Sequence, residues 1–144
     1  MASDSEFSGT QHRLLDAVLK DPGITKSELQ EVLGIGWGTT DYHVRALENQ
    51  RLIQKIRIAP RVHLFDAQTP EQKMAMMAAL RLPMSKAFVD AMRYPVRAQD
   101  LVDDTGASRQ VVDRHLAHLT RSGVVERRKF RYSISKAYRA WFER

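Results

Sequence analysis

No cysteine occurs among the 144 residues, which removes disulfides, thiolate metal sites and a cysteine nucleophile, and fits a reducing cytosol. Nor is there a long apolar run: the longest, Met74 to Leu80, falls far short of the roughly 20 residues needed to cross a bilayer. The opening Met1-Ala2-Ser3-Asp4-Ser5-Glu6 is polar and slightly acidic, unlike a signal peptide, so we expect a soluble intracellular protein with no membrane association. Signatures of catalysis are missing as well. There is no glycine-rich phosphate loop and no serine elbow, and the adjacent carboxylates Asp103-Asp104 suit a helix end rather than acid–base work. We expect neither an enzyme nor a bound cofactor.

What is present is positive charge, unevenly placed. The formal charge is +6 and the isoelectric point is near 9.9, which points to an acidic partner, most commonly nucleic acid. Residues 1–72 hold 8 Lys/Arg against 10 Asp/Glu, a net −2, whereas residues 73–144 hold 15 against 7, a net +8. A polyanion would therefore go to the second half. The 43% hydrophobic content can fill one average core or two small ones.

Periodicity divides the chain further. Leu14, Leu15, Val18 and Leu19 recur at helical spacing until Asp21-Pro22-Gly23 breaks the segment. Thr25 with Glu28 three residues on forms a capping-box signal for a second helix bearing Leu29, Val32 and Leu33. Gly34-Ile35-Gly36 then turns into a third helix, roughly Trp37 to Gln50, with Thr40, Val44 and Leu47 on one face and Thr39, Tyr42, Arg45 and Asn49 on the other. Leu52 to Ile58 and Val62 to Phe65 read as strands joined across Ala59-Pro60-Arg61. Helix, helix, turn, helix, hairpin is the order of a winged helix-turn-helix.

The same order recurs. A shift of 72 places Leu29 on Leu101, Gly34 on Gly106, Asp41 on Asp113, His43 on His115, Val44 on Leu116, Leu47 on Leu119 and Ile53 on Val125. In this half we expect helices over Met84–Arg93, Arg97–Asp104 and Ser108–Arg121, the last ended by Gly123 in a left-handed cap, then strands Val124–Arg128 and Arg131–Ile134. The expected fold is mainly α with small β-hairpin wings: two tandem winged helix-turn-helix domains joined by a helix. Its parts are a flexible tail over 1–10, a first domain over 11–67, a linker helix over 68–82 opened by Thr69-Pro70-Glu71, a second domain over 83–135, and a C-terminal helix over 136–144.

Three stretches carry a likeness to a known family: Gly38-Thr39-Thr40-Asp41-Tyr42-His43-Val44-Arg45-Ala46-Leu47-Glu48 with Leu52-Ile53; Thr69-Pro70-Glu71-Gln72 leading to Ala79-Leu80-Arg81-Leu82-Pro83; and Ser108-Arg109-Gln110-Val111-Val112-Asp113-Arg114-His115-Leu116 with Gly123-Val124-Val125. Over roughly residues 11–135 the chain resembles the tandem, ArsR-like winged helix-turn-helix transcriptional regulators common in archaea. That resemblance implies double-stranded DNA as partner and a homodimer. The methionines of the linker helix and the aromatics Tyr138, Trp141 and Phe142 of the C-terminal helix are candidate contacts for it, although such stripes at helical spacing are more often ordinary core. Three positions depart from it. Arg51 stands where glycine usually ends the third helix, Pro60 occupies the first wing, and the second wing, Lys129-Phe130, is very short.

In such a fold the third helix enters the major groove while basic residues around it hold phosphates. The second domain then offers Arg109, Gln110, Arg114 and Arg121 on its helix and Arg127, Arg128, Lys129 and Arg131 on its hairpin. Arg109 and Arg114 suit guanine, and Gln110 suits adenine. The first domain offers a thinner set: Trp37, Thr39, Tyr42, Arg45, Lys55, Arg57 and Arg61. His115 and His118 stand three apart on a helix, but too few further ligands are at hand for a metal, so they are read as structural or phosphate-facing. The function expected is a sequence-specific transcriptional regulator, cytoplasmic and nucleoid-associated, acting mainly through the second domain. An abundant chromatin-type coat and a protein-interaction adaptor are the alternatives.

Overall fold

The computed structural model describes residues 4–58 and 60–143, with side chains from residue 9 onward. The chain divides into two compact units, 1–70 and 71–144.

The first unit consists of α1 (Asp4–Lys20), α2 (Lys26–Leu33), α3 (Trp37–Asn49), β1 (Ile53–Ile58) and β2 (Arg61–Asp66). Thr25 and Glu28 close the expected capping box: the Glu28 amide donates to Thr25 Oγ1 at 3.1 Å, and the Thr25 amide donates to Glu28 Oε1 at 3.2 Å. Gly34 ends α2 at φ 63°, which glycine adopts without steric cost. Leu14 and Val18 of α1, Ile24, Leu29 of α2, Val44 and Leu47 of α3, Ile53 and Leu64 form one buried cluster. Leu19 and Val32, expected on apolar stripes, are instead 48% and 66% exposed, because each lies beyond the core-facing side of its helix. The hairpin pairs Ile53 with Asp66 through Ile58 with Arg61, so Arg61 opens β2 rather than sitting in the loop. Ala59, in that turn, lies outside the described residues. A short extended segment before α2 also joins the hairpin: the Gly23 amide donates to the Leu64 carbonyl and the Leu64 amide to the Ile24 carbonyl, at 2.8 and 2.9 Å.

The second unit consists of α4 (Glu71–Leu80), α5 (Ser85–Ala91), α6 (Ala98–Thr105), α7 (Arg109–Arg121), β3 (Val125–Arg128), β4 (Arg131–Ile134) and α8 (Lys136–Phe142). Here α6 and α7 begin and end at the positions of α2 and α3 shifted by 72. Each matched apolar pair, Leu29 with Leu101, Val44 with Leu116, Leu47 with Leu119 and Ile53 with Val125, is buried in its own unit. Gly106 ends α6 at φ 74°, as Gly34 ends α2. Ser108 caps α7, its hydroxyl accepting from the Val111 amide at 3.2 Å. Val96 and Tyr132 exchange two backbone bonds, of 2.9 and 2.7 Å, tying the segment before α6 to the hairpin.

One expected boundary shifts, and the two outer helices of the second unit pack as core. The helix α1 takes in residues 4–10 of the stretch read as a tail. The stretch 68–82 is not a bare connection, because α4 puts Met76 and Ala79 into the second unit's core beside Phe88, Leu101, Val112 and Leu119. The closing helix α8 contributes Tyr138, Trp141 and Phe142, half-buried against the same core. Helices this short gain most of their stability from such packing.

Candidate nucleic-acid interface

In both units the buried face of the third helix fixes which side chains point out. Thr40, His43, Val44 and Leu47 are buried on α3, and Val112, His115, Leu116 and Leu119 on α7. All the residues nominated from sequence are solvent-exposed: Arg109, Gln110, Arg114, Arg121, Arg127, Arg128, Lys129 and Arg131 in the second unit, and Trp37, Thr39, Tyr42, Arg45, Lys55, Arg57 and Arg61 in the first.

What separates the two third helices is pairing. Arg57 and Arg61 on the first hairpin meet no carboxylate within ion-pair distance among the described residues, whereas the cations around α3 do. In the first unit Asp41 collects two cations, Lys26 Nζ at 2.9 Å and Arg45 Nε at 2.9 Å. Its hydrogen bond with Lys26, reinforced by the charges of Lys26, Arg45 and Lys55, holds the Asp41 carboxyl below the usual carboxylate range against the opposing effect of burial. Lys26 also lies 5.8 Å from the ring centre of Trp37, within cation–π range. Lys55 in turn pairs with Glu48 at 3.5 Å. The face of α3 therefore offers Trp37 and Tyr42, 54% and 61% exposed, more than free charge.

In the second unit only Arg109 among the nominated cations meets a carboxylate within ion-pair distance among the described residues; its Nε lies 3.1 Å from Asp113 Oδ1. Arg114, Arg121, Arg128, Lys129 and Arg131 have no such partner there. Arg128 and Arg131 face each other directly across the hairpin, a like-charge pairing that destabilises a sheet by about 0.2–1 kcal/mol. Arg127 is held in place instead, donating from Nε to the Lys129 carbonyl at 2.8 Å with its guanidinium 5.6 Å from the Tyr132 ring centre. A cleft between α7 and the hairpin sets Asp113, Ala117, Thr120 and Arg121 opposite Arg127 and Tyr132. A second cleft, of about 240 Å³, is lined by Arg97, Gln99, Arg109, Arg127, Phe130 and Tyr132.

Arg97, Phe130 and Tyr132 were not among the residues nominated from sequence. A phenylalanine between Lys129 and Arg131 in a turn was the available signal for Phe130. For Arg97 and Tyr132 there was none, since they meet only through the Val96–Tyr132 bridge.

His115 and His43 are built into the packing, whereas His118 is half-buried. His115 faces the Val111 carbonyl with Nδ1 at 2.9 Å and the Pro83 carbonyl with Nε2, locking α7 to the turn before α5. His43 accepts at Nδ1 from Gln11 Nε2 at 3.2 Å, and Gln11 Oε1 accepts from Gln50 at 3.1 Å, which fixes the Gln11 amide orientation. Among the described residues no group of three or more His, Asp or Glu side chains gathers as a metal site, and no helix is long and apolar enough to cross a membrane. At Arg51 the backbone takes φ 59°, so the arginine adopts the left-handed turn that Gly123 adopts at φ 88° in the second unit.

Among solved structures, the mRNA-binding domain of elongation factor SelB from E. coli, in complex with SECIS RNA, aligns over 93% of this chain and 100% of that one, at 15% identity and a TM-score of 0.37. No curated protein matches the chain. Residues 7–54 match the winged helix-turn-helix DNA-binding family. Over α1 to the start of β1, the first unit is thus similar in sequence to winged helix-turn-helix DNA-binding domains, and its three helices and hairpin follow the order that this similarity implies.

Proposed function

We propose that the chain is a sequence-specific, double-stranded-DNA-binding transcriptional regulator of the ArsR-like, archaeal tandem winged-helix type, acting mainly through its second, basic unit. The observation that carries this reading is the second unit's exposed face, where Arg114, Arg121, Arg128, Lys129 and Arg131 stand without a carboxylate partner among the described residues. Unpaired cations can replace the counterions of a nucleic-acid backbone without first breaking an internal ion pair. In this mechanism α7 lies in the major groove, Arg114 reads guanine and Gln110 adenine, while the hairpin cations set the register on phosphates. The protein is non-catalytic, resides in the cytoplasm on the nucleoid, and binds as a homodimer with α4 or α8 as candidate contacts, which would match two half-sites to a two-fold axis.

A second reading concerns the first unit alone. With Lys26 and Arg45 engaged by Asp41 and with Trp37 and Tyr42 exposed, α3 suits contact with another protein as well as with DNA.

The test is binding of the wild type and an Arg114→Ala/Arg121→Ala variant to a promoter fragment and to scrambled DNA across a salt series. The wild type is expected to prefer the promoter, to weaken with a log–log slope of about −0.9 per phosphate contacted, and to lose its preference in the variant. Equal binding of both fragments would favour a chromatin-type coat. No binding at low salt would leave the adaptor.

A further inference from the structure

The cleft beside the second hairpin combines features that phosphate contact alone does not require. Phe130 at the hairpin tip is 75% exposed, yet it lines the same cleft as Arg97, Arg109 and Arg127, with Tyr132 beneath. Lys129, in the left-handed conformation at φ 57°, makes the tight turn that presents the phenyl ring. The Arg127 guanidinium is fixed by the Lys129 carbonyl and the Tyr132 ring, so one cation is already positioned there. Single exposed apolar residues are ordinary on protein surfaces. A phenyl ring sharing a cleft with three arginines, of which Arg109 is engaged by Asp113 while Arg97 and Arg127 meet no carboxylate within ion-pair distance among the described residues, is a different arrangement: an aromatic face for a base, with cations for the phosphate that comes with it.

We propose that this cleft is a binding site for one unpaired nucleobase of DNA, stacked on Phe130, with its phosphate held by Arg97 and Arg127. A paired base cannot offer its face to a side chain without leaving its stack, whereas an extrahelical one offers it freely. The site therefore favours DNA whose duplex is locally opened. It rests on the reading of α7 and its hairpin as the DNA-binding surface, and adds to groove reading a preference for structure.

The experiment compares a perfect duplex with the same duplex carrying one extra unpaired 2-aminopurine, for wild type, Phe130→Ala and Phe130→Tyr. Wild type is expected to bind the bulged duplex about 5- to 100-fold more tightly, with 2-aminopurine fluorescence quenched on binding. Phe130→Ala should lose that preference and the quenching while its affinity for the perfect duplex stays within about twofold, and Phe130→Tyr should keep both. Because Phe130 is exposed, the alanine variant should fold normally. Equal wild-type binding of the two duplexes, or equal weakening of both by Phe130→Ala, would each overturn the site. Binding of the bulged duplex alone would support the site and remove the regulator reading instead.

Discussion

Arg109 and Asp113 are joined by an ion pair of 3.1 Å along one turn of α7, both more than half exposed, on the face that also carries Gln110 and Arg114. Asp113 thus holds the guanidinium that a guanine or phosphate would otherwise take, and places a negative charge in the path of a polyanion. Asp113→Asn is expected to tighten DNA binding about two- to fivefold at low salt, with the gain shrinking as salt rises, and to cost little stability because exposed pairs contribute only about 0–1 kcal/mol. Weaker binding by the variant in a salt titration would show that Asp113 positions Arg109 rather than competing for it.

Arg128 and Arg131 are opposed across the second hairpin, and if they contact phosphate they trade stability for binding. Arg131→Thr should stabilise the protein by up to about 1 kcal/mol by removing the like-charge pair. The same change should weaken DNA binding and reduce the log–log salt slope by about 0.9, the contribution of one phosphate contact. Denaturant melts and a salt series check both; an unchanged slope would take Arg131 out of the interface.

Arg51 and Gly123 occupy the same turn in their respective units at positive φ, but only one of them is glycine. Arg51→Gly is expected to stabilise the first unit by up to about 1 kcal/mol, relief of left-handed strain exceeding the added chain entropy. Gly123→Ala should destabilise the second unit because its backbone stands at φ 88°, where an L side chain is strained, while the added Cβ would only touch the flexible Met76 methyl at 3.4 Å. Thermal melts showing no change for either variant would contradict this account.

Burial holds the imidazole of His43 below the ordinary histidine value of 6.5. The folded first unit therefore keeps the ring neutral where the unfolded chain takes up a proton. Its contribution to stability is complete above about pH 6.5 and is lost as pH falls from there through the lower folded value. Amide exchange in α3 should accelerate between pH 7 and 5, after correction for intrinsic rates, more in wild type than in His43→Gln. Parallel profiles for the two would show that another group sets the pH response.

Much of the local structure was legible in the order of residues. The Thr25–Glu28 capping box and the glycines at 34 and 106 are short-range signals, so α2 and α6 could be bounded closely. The 72-residue repeat carried the buried positions of α3 over to α7 because the same side chains face a core in each. Less was legible at helix edges: Leu19 and Val32 fit a helical period, yet a period does not say how wide the core-facing stripe is.

By itself the sequence determined the helices, the hairpins, the concentration of cations in the second half and the outward set on each third helix, since periodicity, capping and charge are written within a few residues of one another. Only the tertiary structure decided which of those charges are free. Asp41 reaches Lys26 from a different helix, and Glu48 reaches Lys55 from helix to strand. It also decided that α4 and α8 belong to the second unit's core, and that Arg97, Phe130 and Tyr132 line one cleft. Those relations join residues distant along the chain, and electrostatic screening and cavity shape depend on distance in space rather than in sequence.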